Sequence, residues 1–263
     1  MIDLHSHLLP GIDDGPRTTD DSLAMARVAV AAGITDMVCT PHMSRHYPTP
    51  VEWMAESVVE LRAALTAAEI PLNIHSGGEI RLDWFGELGD EELLAASIAG
   101  TGRWLLLEMP SEGWPLELGS ILDGLAVRGI GAVLAHPERC AAVQRAPDRL
   151  WDLVGRGALV QINAGSLTGE HGSGPQRTAK KLIATGLCHL LASDSHSATW
   201  RPPEMGPGLA EAAMVLRCEP DELVDLVQDT PAKILAGEKV SPSPRTPPQG
   251  LPERASSDRT DGP

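Results

Sequence analysis

The sequence predicts an α/β fold in which a parallel sheet is covered by helices. Short apolar runs and helical patterns alternate seven times within the first ~235 residues. Hydrophobic residues are 42% of the 263, ample for a large core. Six of the seven apolar runs end in histidine or carboxylate, residue types that a buried strand otherwise excludes. Two layouts fit: an open doubly wound sheet, or a closed, irregular β/α barrel. In both, the residues just after each strand share one face.

Each element has its own local reason. Ile2 to Leu4 is a short apolar strand followed by His5-Ser6-His7, and the Pro10-Gly11 turn swings Asp13 and Asp14 back toward the same mouth. Thr18-Thr19-Asp20-Asp21 resembles a helix N-terminus. Leu23 to Ala32 is alanine-rich and helical, closed by Gly33. Ile34 to Cys39 is the second strand, ending at Pro41-His42, and Val51 to Glu69 is helical, with Trp53, Val58, Leu61 and Leu65 at helical spacing. Leu72 to Ile74 is a third strand running into Ser76-Gly77-Gly78-Glu79. Trp104 to Leu107 ends at Glu108, with Leu116 to Val127 its helix, and Ala132 to Leu134 leads into Ala135-His136-Pro137-Glu138-Arg139. Leu150 to Val154 is helical, Leu159 to Ile162 a sixth strand, Thr178 to Ala184 helical, and Leu187 to Leu191 a seventh strand before Ser193-Asp194-Ser195-His196. Helices near Leu209 to Leu216 and Asp221 to Val227 complete the unit. The sixth strand lacks an evident ligand, ending in Gln161 and Asn163.

The functional domain is expected over residues 1–236. Residues 237–263 are expected to be a disordered, Pro/Ser-rich tail: from 241 onward there are six prolines and almost no large apolar side chain to offset ordering entropy. A formal net charge of −15 argues against nucleic acid and anionic membrane surfaces. No run approaches the ~18 apolar residues of a membrane span, no leader fits before the first strand, and a cytoplasmic location is expected. Cys39, Cys140, Cys188 and Cys218 have no CxxC spacing, so neither a zinc knuckle nor a disulfide framework is suggested.

In an extended backbone His5 and His7 point to the same side, where two neutral imidazoles can grip a divalent zinc, iron or manganese ion. The strand-end inventory is His5, His7, Asp14, His42, Glu79, Glu108, His136, Asp194 and His196, with Asp13 an alternative to Asp14. Nine side-chain ligands are too many for one ion; they suit two or three that share carboxylates and leave positions for water. Arg139 and Arg201, close after His136 and His196, could hold phosphate oxygens by forked hydrogen bonds, answering the shortage of positive charge locally. His46, His75, His171 and His189 are expected to be structural or solvent-exposed.

Cys39 and Arg45 stand at the C-x5-R spacing of thiol-dependent tyrosine phosphatases. Such a loop turns successive backbone N–H groups onto phosphate, which needs glycine-rich backbone. Thr40-Pro41-His42-Met43-Ser44 has no glycine, and Pro41 has no N–H. A thiolate chemistry is not expected.

These residues resemble the PHP superfamily, specifically the bacterial metal-dependent protein-tyrosine phosphatases of the capsular and exopolysaccharide type. Met1-Ile2-Asp3-Leu4-His5-Ser6-His7 and Asp13-Asp14-Gly15-Pro16 are similar to that group's opening motif. Thr40-Pro41-His42, Gly78-Glu79, Ala135-His136-Pro137-Glu138-Arg139 and Ser193-Asp194-Ser195-His196 follow in its order. The resemblance implies a distorted (β/α)7 barrel with a trinuclear, usually manganese, site. One ion would take His5, His7, Glu79 and Asp194; a second Glu79, Glu108 and His136; a third Asp14, His42 and His196. Arg139 and Arg201 would hold phosphate, and hydroxide bridging the metals would attack phosphorus without a phosphoenzyme. The implied substrate is phosphotyrosine on a bacterial tyrosine autokinase. Alternatives are a small-metabolite phosphatase acting on something like histidinol phosphate, and a metal-dependent amidohydrolase. The latter commonly needs a lysine where Glu79 stands. A silent regulatory domain would be expected to have lost ligands.

Overall fold

The structure is a computed structural model and describes residues 1–242. Nine strands occur among these residues: β1 (Ile2–Ser6), β2 (Asp36–Cys39), β3 (His42–Met43), β4 (Asn73–Ser76), β5 (Glu79–Arg81), β6 (Trp104–Glu108), β7 (Gly131–Ala135), β8 (Leu159–Asn163) and β9 (Leu190–Ala192). All ladders are parallel, in two sheets ordered β1-β2-β4 and β3-β5-β6-β7-β8-β9. The sheets meet at an isolated parallel bridge between Ser6 and Ser195, where His7 N donates to Ser195 O at 2.9 Å. The ladders do not form one continuous closed sheet; the structure is a mixed α/β fold built on two parallel sheets.

Two of the seven expected strands are each followed, after a break, by a further short strand, and the chemistry of the break is visible. Pro41 has no N–H, so the ladder that runs through Cys39 stops and restarts at His42. On its partner, Gly77-Gly78 interrupts the chain between Ser76 and Glu79. Glu79 N donates to Pro41 O at 3.0 Å, and the restarted pair sets His42 directly opposite Glu79.

Helices fill the connections: α1 (Thr19–Ala31), α2 (Val51–Ala67), α3 (Asp90–Ala95), α4 (Leu118–Val127), α5 (Ala141–Arg145), α6 (Leu150–Gly155), α7 (Ala164–Thr168), α8 (Ser173–Ala184), α9 (Gly206–Leu216) and α10 (Thr230–Leu235). Thr18 caps α1 as its sequence predicts: its hydroxyl accepts from Asp21 N while the Asp21 carboxylate accepts from Thr18 N. Residues 221–227, expected as helix, wind instead as a tight turn (Pro220–Leu223) and a wide one (Asp225–Asp229) leading into α10.

Strands β6 to β9 are apolar on both faces, as parallel strands covered on both sides must be. Leu105, Leu107, Ala132, Leu134, Val160, Ile162 and Leu191 join the larger core under the helices. The alternate residues Trp104, Leu106, Val133, Ala135, Leu159 and Leu190 form a second core with Ile2, Leu4, Ile98 and Ile234. By the two-residue strand period, Glu108 follows Leu106, and Gln161 and Asn163 follow Leu159, on that same face. Its apolar half packs the fold and its C-terminal half turns polar.

Past the expected boundary the chain remains engaged. Trp104 Nε1 donates to Glu238 O at 2.8 Å, and Val240 packs on the second core. Most of the expected tail, residues 243–263, lies outside the described residues. Ending the chain after Gly237 removes the Trp104 acceptor; relative to a chain ending after Pro242, the melting temperature should drop by about 2–4 °C, the effect of about 1 kcal/mol. Equal melting temperatures would show that this contact contributes nothing.

His189 gives the fold a pH dependence. Its Nδ1 accepts from Val160 N at 3.0 Å, joining β8 to the start of β9, so the ring must be neutral with its proton on Nε2. Burial lowers its pKa to about 4. Because the folded pKa lies below the unfolded value near 6.5, the stability is complete above that pH and falls as pH drops toward 4. Between pH 7 and 4.5, denaturant unfolding should show the wild type losing about 2 kcal/mol more than His189→Gln. Identical losses would reject the assignment.

Candidate functional site

The C-terminal ends of β1, β6 and β7, the first residue of β3 and the segment after β9 converge on Glu79, the fully buried first residue of β5. His42 Nδ1 lies 2.7 Å from its Oε2 and His136 Nε2 2.9 Å from its Oε1. His5 Nε2 is 3.4 Å from Oε1 and His7 Nε2 3.5 Å from Oε2. Asp194 faces the same imidazoles, with Oδ1 3.4 Å from both His5 Nε2 and His7 Nε2. Asp14 closes the outer side, its Oδ1 3.3 Å from His196 Nε2 and 3.5 Å from His42 Nε2. All nine residues selected as ligands fall in this cluster, Glu108 through its grouping with His42 and Glu79.

Four sets of donor atoms lie within 4.8 Å of one another: His7, Asp14, His42 and His196; His5, Glu79 and His136; His5, His7 and Asp194; and His42, Glu79 and Glu108. Shared members mean that these sets overlap into one continuous donor cluster. His5 Nε2 and His7 Nε2 are buried without a hydrogen-bond partner. Orphaned imidazole nitrogens converging with the Glu79 and Asp194 carboxylates on one space are the donor chemistry of a divalent transition-metal site, and the residues fit such ions.

The electrostatics follow from mutual crowding. Burial alone would raise the Asp194 and Glu79 carboxyls, but the surrounding imidazoles, with Arg201 beside Asp194, hold both well below their ordinary values. Burial would also lower His7, yet Asp13, Asp194 and Glu79 raise it well above the usual imidazole value. Glu108 goes the other way: burial and the neighbouring Glu79 charge push it up to about 7. Burial lowers His136 and His196.

Backbone strain is concentrated here. His136 (φ 29°) and Asp194 (φ 52°) are non-glycine residues in the left-handed region, which costs on the order of 1–3 kcal/mol each. The framework compensates: Asp194 N donates to His5 O at 2.9 Å, locking the strained loop onto β1. Gly15 is required beside Asp14, because a Cβ there would sit 2.4 Å from His7 O.

Asp13 and Asp14, alternatives in the sequence, divide the work. Asp14 faces His42 and His196, whereas Asp13 Oδ2 lies 2.6 Å from His7 Nδ1 and accepts from His42 N at 3.0 Å. Arg139 donates to Asp194 Oδ2 at 2.8 Å, and Arg201 is in ion-pair contact with the same oxygen. Arg201 Nε is buried and has no acceptor.

Sequence reasoning missed three contributors. Gln161 meets His5 Nδ1 at 2.9 Å, and Asn163 donates to Asp194 Oδ2 at 2.6 Å. Glu138 is fully buried beneath them, accepting from Asn163 N and Ser166 Oγ at 3.1 and 2.6 Å. A short polar run at the end of an apolar strand was the available signal. Among the histidines set aside, His75 pairs with Asp36 at 3.2 Å and His46 packs edge-on to Tyr47. His171 contacts Ser166 Oγ at 3.1 Å, and burial with the charges of Arg139 and Arg201 lowers it to about 4.

The C-x5-R reading fails structurally as well. Cys39 is fully buried in the larger core, where burial pushes its thiol up to about 12, and Arg45 turns to Glu87 at 3.7 Å.

Residues 1–236 match the family model described as capsular polysaccharide synthesis, CpsB/CapC. The chain is 34% identical over 205 residues to a CapC protein of Staphylococcus aureus, covering 77% of this chain and 79% of the relative. It is also 34% identical over 204 residues to the tyrosine-protein phosphatase YwqE of Bacillus subtilis, covering 76% and 79%. It is similar, with a TM-score of 0.84 and 29% identity over 94% of this chain and 99% of the other, to a chain from the crystal structures of YwqE from Bacillus subtilis and CpsB from Streptococcus pneumoniae, described as unique metal-dependent tyrosine phosphatases. By this match the chain belongs to the CpsB/CapC family of capsular polysaccharide synthesis.

Proposed function

We propose that this chain is a metal-dependent protein-tyrosine phosphatase. The observation that carries the reading is the convergence of five imidazoles and three carboxylates on Glu79, with two arginines at the rim and Cys39 fully buried in the apolar core. Membership in a family whose named relatives are tyrosine phosphatases supports it. His5, His7, Glu79 and Asp194 would hold one ion; Glu79, Glu108 and His136 a second; Asp14, His42 and His196 a third. Manganese is the proposed metal, with iron or zinc able to use the same donors. Such ions supply Lewis acidity toward a phosphoryl oxygen and water ionised near neutral pH.

The chain's own residues supply the rest. Asp13 holds the His7 ring through Nδ1, which leaves Nε2 directed at Glu79 and Asp194. Arg139 and Arg201 share the Asp194 carboxylate and swing to an entering phosphate, for which Arg201 Nε is a ready donor. A tyrosine phenolate, with a free pKa of about 10, leaves without a strong general acid.

The proposed substrate is a phosphotyrosyl protein, specifically the tail of a bacterial tyrosine autokinase, which would place the enzyme in the cytoplasm. The seven-unit distorted barrel remains the proposed architecture, supported by the Ser6–Ser195 bridge between the two sheets.

Purified protein reconstituted with manganese should carry about two to three equivalents of metal and hydrolyse phosphotyrosyl peptide. A chelator should abolish turnover and manganese restore it, while Cys39→Ser retains most activity. A dead Cys39→Ser with chelator-insensitive turnover would establish the thiolate route instead. Activity confined to histidinol phosphate would reassign the substrate.

A further inference from the structure

β8 ends in two amides, whereas its neighbours β7 and β9 lead into the ligand candidates His136 and Asp194. Gln161 and Asn163 are both fully buried. His5 Nδ1 lies 2.9 Å from Gln161 Oε1, Gln161 Nε2 donates to Asn163 Oδ1 at 2.7 Å, and Asn163 Nδ2 donates to Asp194 Oδ2 at 2.6 Å. The direction of this chain is set from its charged end. An ionised carboxylate only accepts, so the Asn163 amide must present Nδ2 to Asp194 and Oδ1 to Gln161. Gln161 then donates through Nε2, its Oε1 faces His5, and the imidazole must carry its proton on Nδ1. The remaining lone pair is at Nε2, a buried atom with no hydrogen-bond partner that lies 3.4 Å from both Glu79 and Asp194.

We propose that Gln161 and Asn163 are positioning residues: a one-way amide relay that holds His5 in its Nδ1–H tautomer and couples it to Asp194, so that a divalent ion meets both ligands already oriented. The relay rests on the metal-site reading above. Its backbone is anchored from below, because Asn163 N donates to the buried Glu138 carboxylate. The choice of amides has an electrostatic reason. His7 is oriented by a carboxylate, Asp13, and a second orienting carboxylate at 161 would add like charge to a pocket already holding Glu79, Glu108 and Asp194.

The test measures zinc affinity of the metal-stripped full chain by chelator competition, with no substrate present. Gln161→Met and Asn163→Leu, which keep shape but break a link, should each weaken zinc binding by about 10–100-fold at unchanged melting temperature. The double variant should lose less than the product of the two singles, because the links act in series. Long-range 1H–15N spectra of the zinc-loaded protein should show His5 as Nδ1–H, and Gln161→Glu, which retains an acceptor, should preserve that signal. Unchanged affinities in both singles, a fully multiplicative double variant, or an Nε2–H His5 in the wild type would each overturn the relay. Should a variant fail to fold, the wild-type tautomer decides alone. A wild-type chain that binds no zinc or manganese would overturn the metal reading itself, a different failure from variants that bind as well as wild type.

Discussion

Glu79→Ala is expected to abolish metal retention and turnover together, lowering phosphotyrosine hydrolysis by at least about 1,000-fold. The magnitude follows from how many groups share this one side chain. Its two oxygens face His5, His7, His42 and His136, and it belongs to two of the four donor sets. Removal takes the central negative charge from a largely buried cluster of imidazoles and leaves Asp194 facing His5 and His7. Glu79→Gln separates shape from charge: it fills the same volume and leaves one acceptor, so it should fold normally yet still fail to retain about two to three metal equivalents. Elemental analysis, unfolding and kinetics on the same preparations make the distinction. Near wild-type metal content in Glu79→Ala would remove Glu79 from the centre of the site.

The arginines should show a different pattern, with metal content kept and phosphate recognition lost. Arg139→Ala and Arg201→Ala should each lower kcat/KM by about 30–1,000-fold, corresponding to 2–4 kcal/mol of transition-state stabilisation at a preorganised charged contact. Both contact Asp194 Oδ2, so the two losses should not be additive. Lysine at either position keeps the charge but not the planar fork, and should restore little. Inhibition by inorganic phosphate should weaken in parallel, which a purely structural role would not predict. Arginine variants with wild-type kcat/KM would assign these side chains to Asp194 alone.

The sequence by itself determined the class of fold and the chemical inventory. Apolar runs of strand length alternating with helical patterns can only bury themselves as a covered parallel sheet. Histidines and carboxylates stand out at the ends of such runs because a buried strand does not carry them without a partner. That is why His5, His7, His42, Glu79, Glu108, His136, Asp194 and His196 are legible in the sequence. Thr18 and Asp21 were equally readable, since a capping box is a contact three residues long.

Tertiary structure decided everything that depends on who meets whom across the chain. Only packing assigns Asp13 to His7 and Asp14 to His42 and His196, because adjacent aspartates are equivalent until the loop around Gly15 folds. The strand breaks at Pro41 and Gly77-Gly78 depend on two distant segments failing at the same level, and this offset is what sets His42 opposite Glu79. The strained backbone at His136 and Asp194 has no local signature, since the compensating bonds come from elsewhere, as with Asp194 N and His5 O. The roles of Gln161 and Asn163 were hidden for a related reason. Uncharged amides at a strand end look like ordinary polar residues, and their direction of donation exists only once His5 and Asp194, 156 and 31 residues away from their respective partners, are brought beside them.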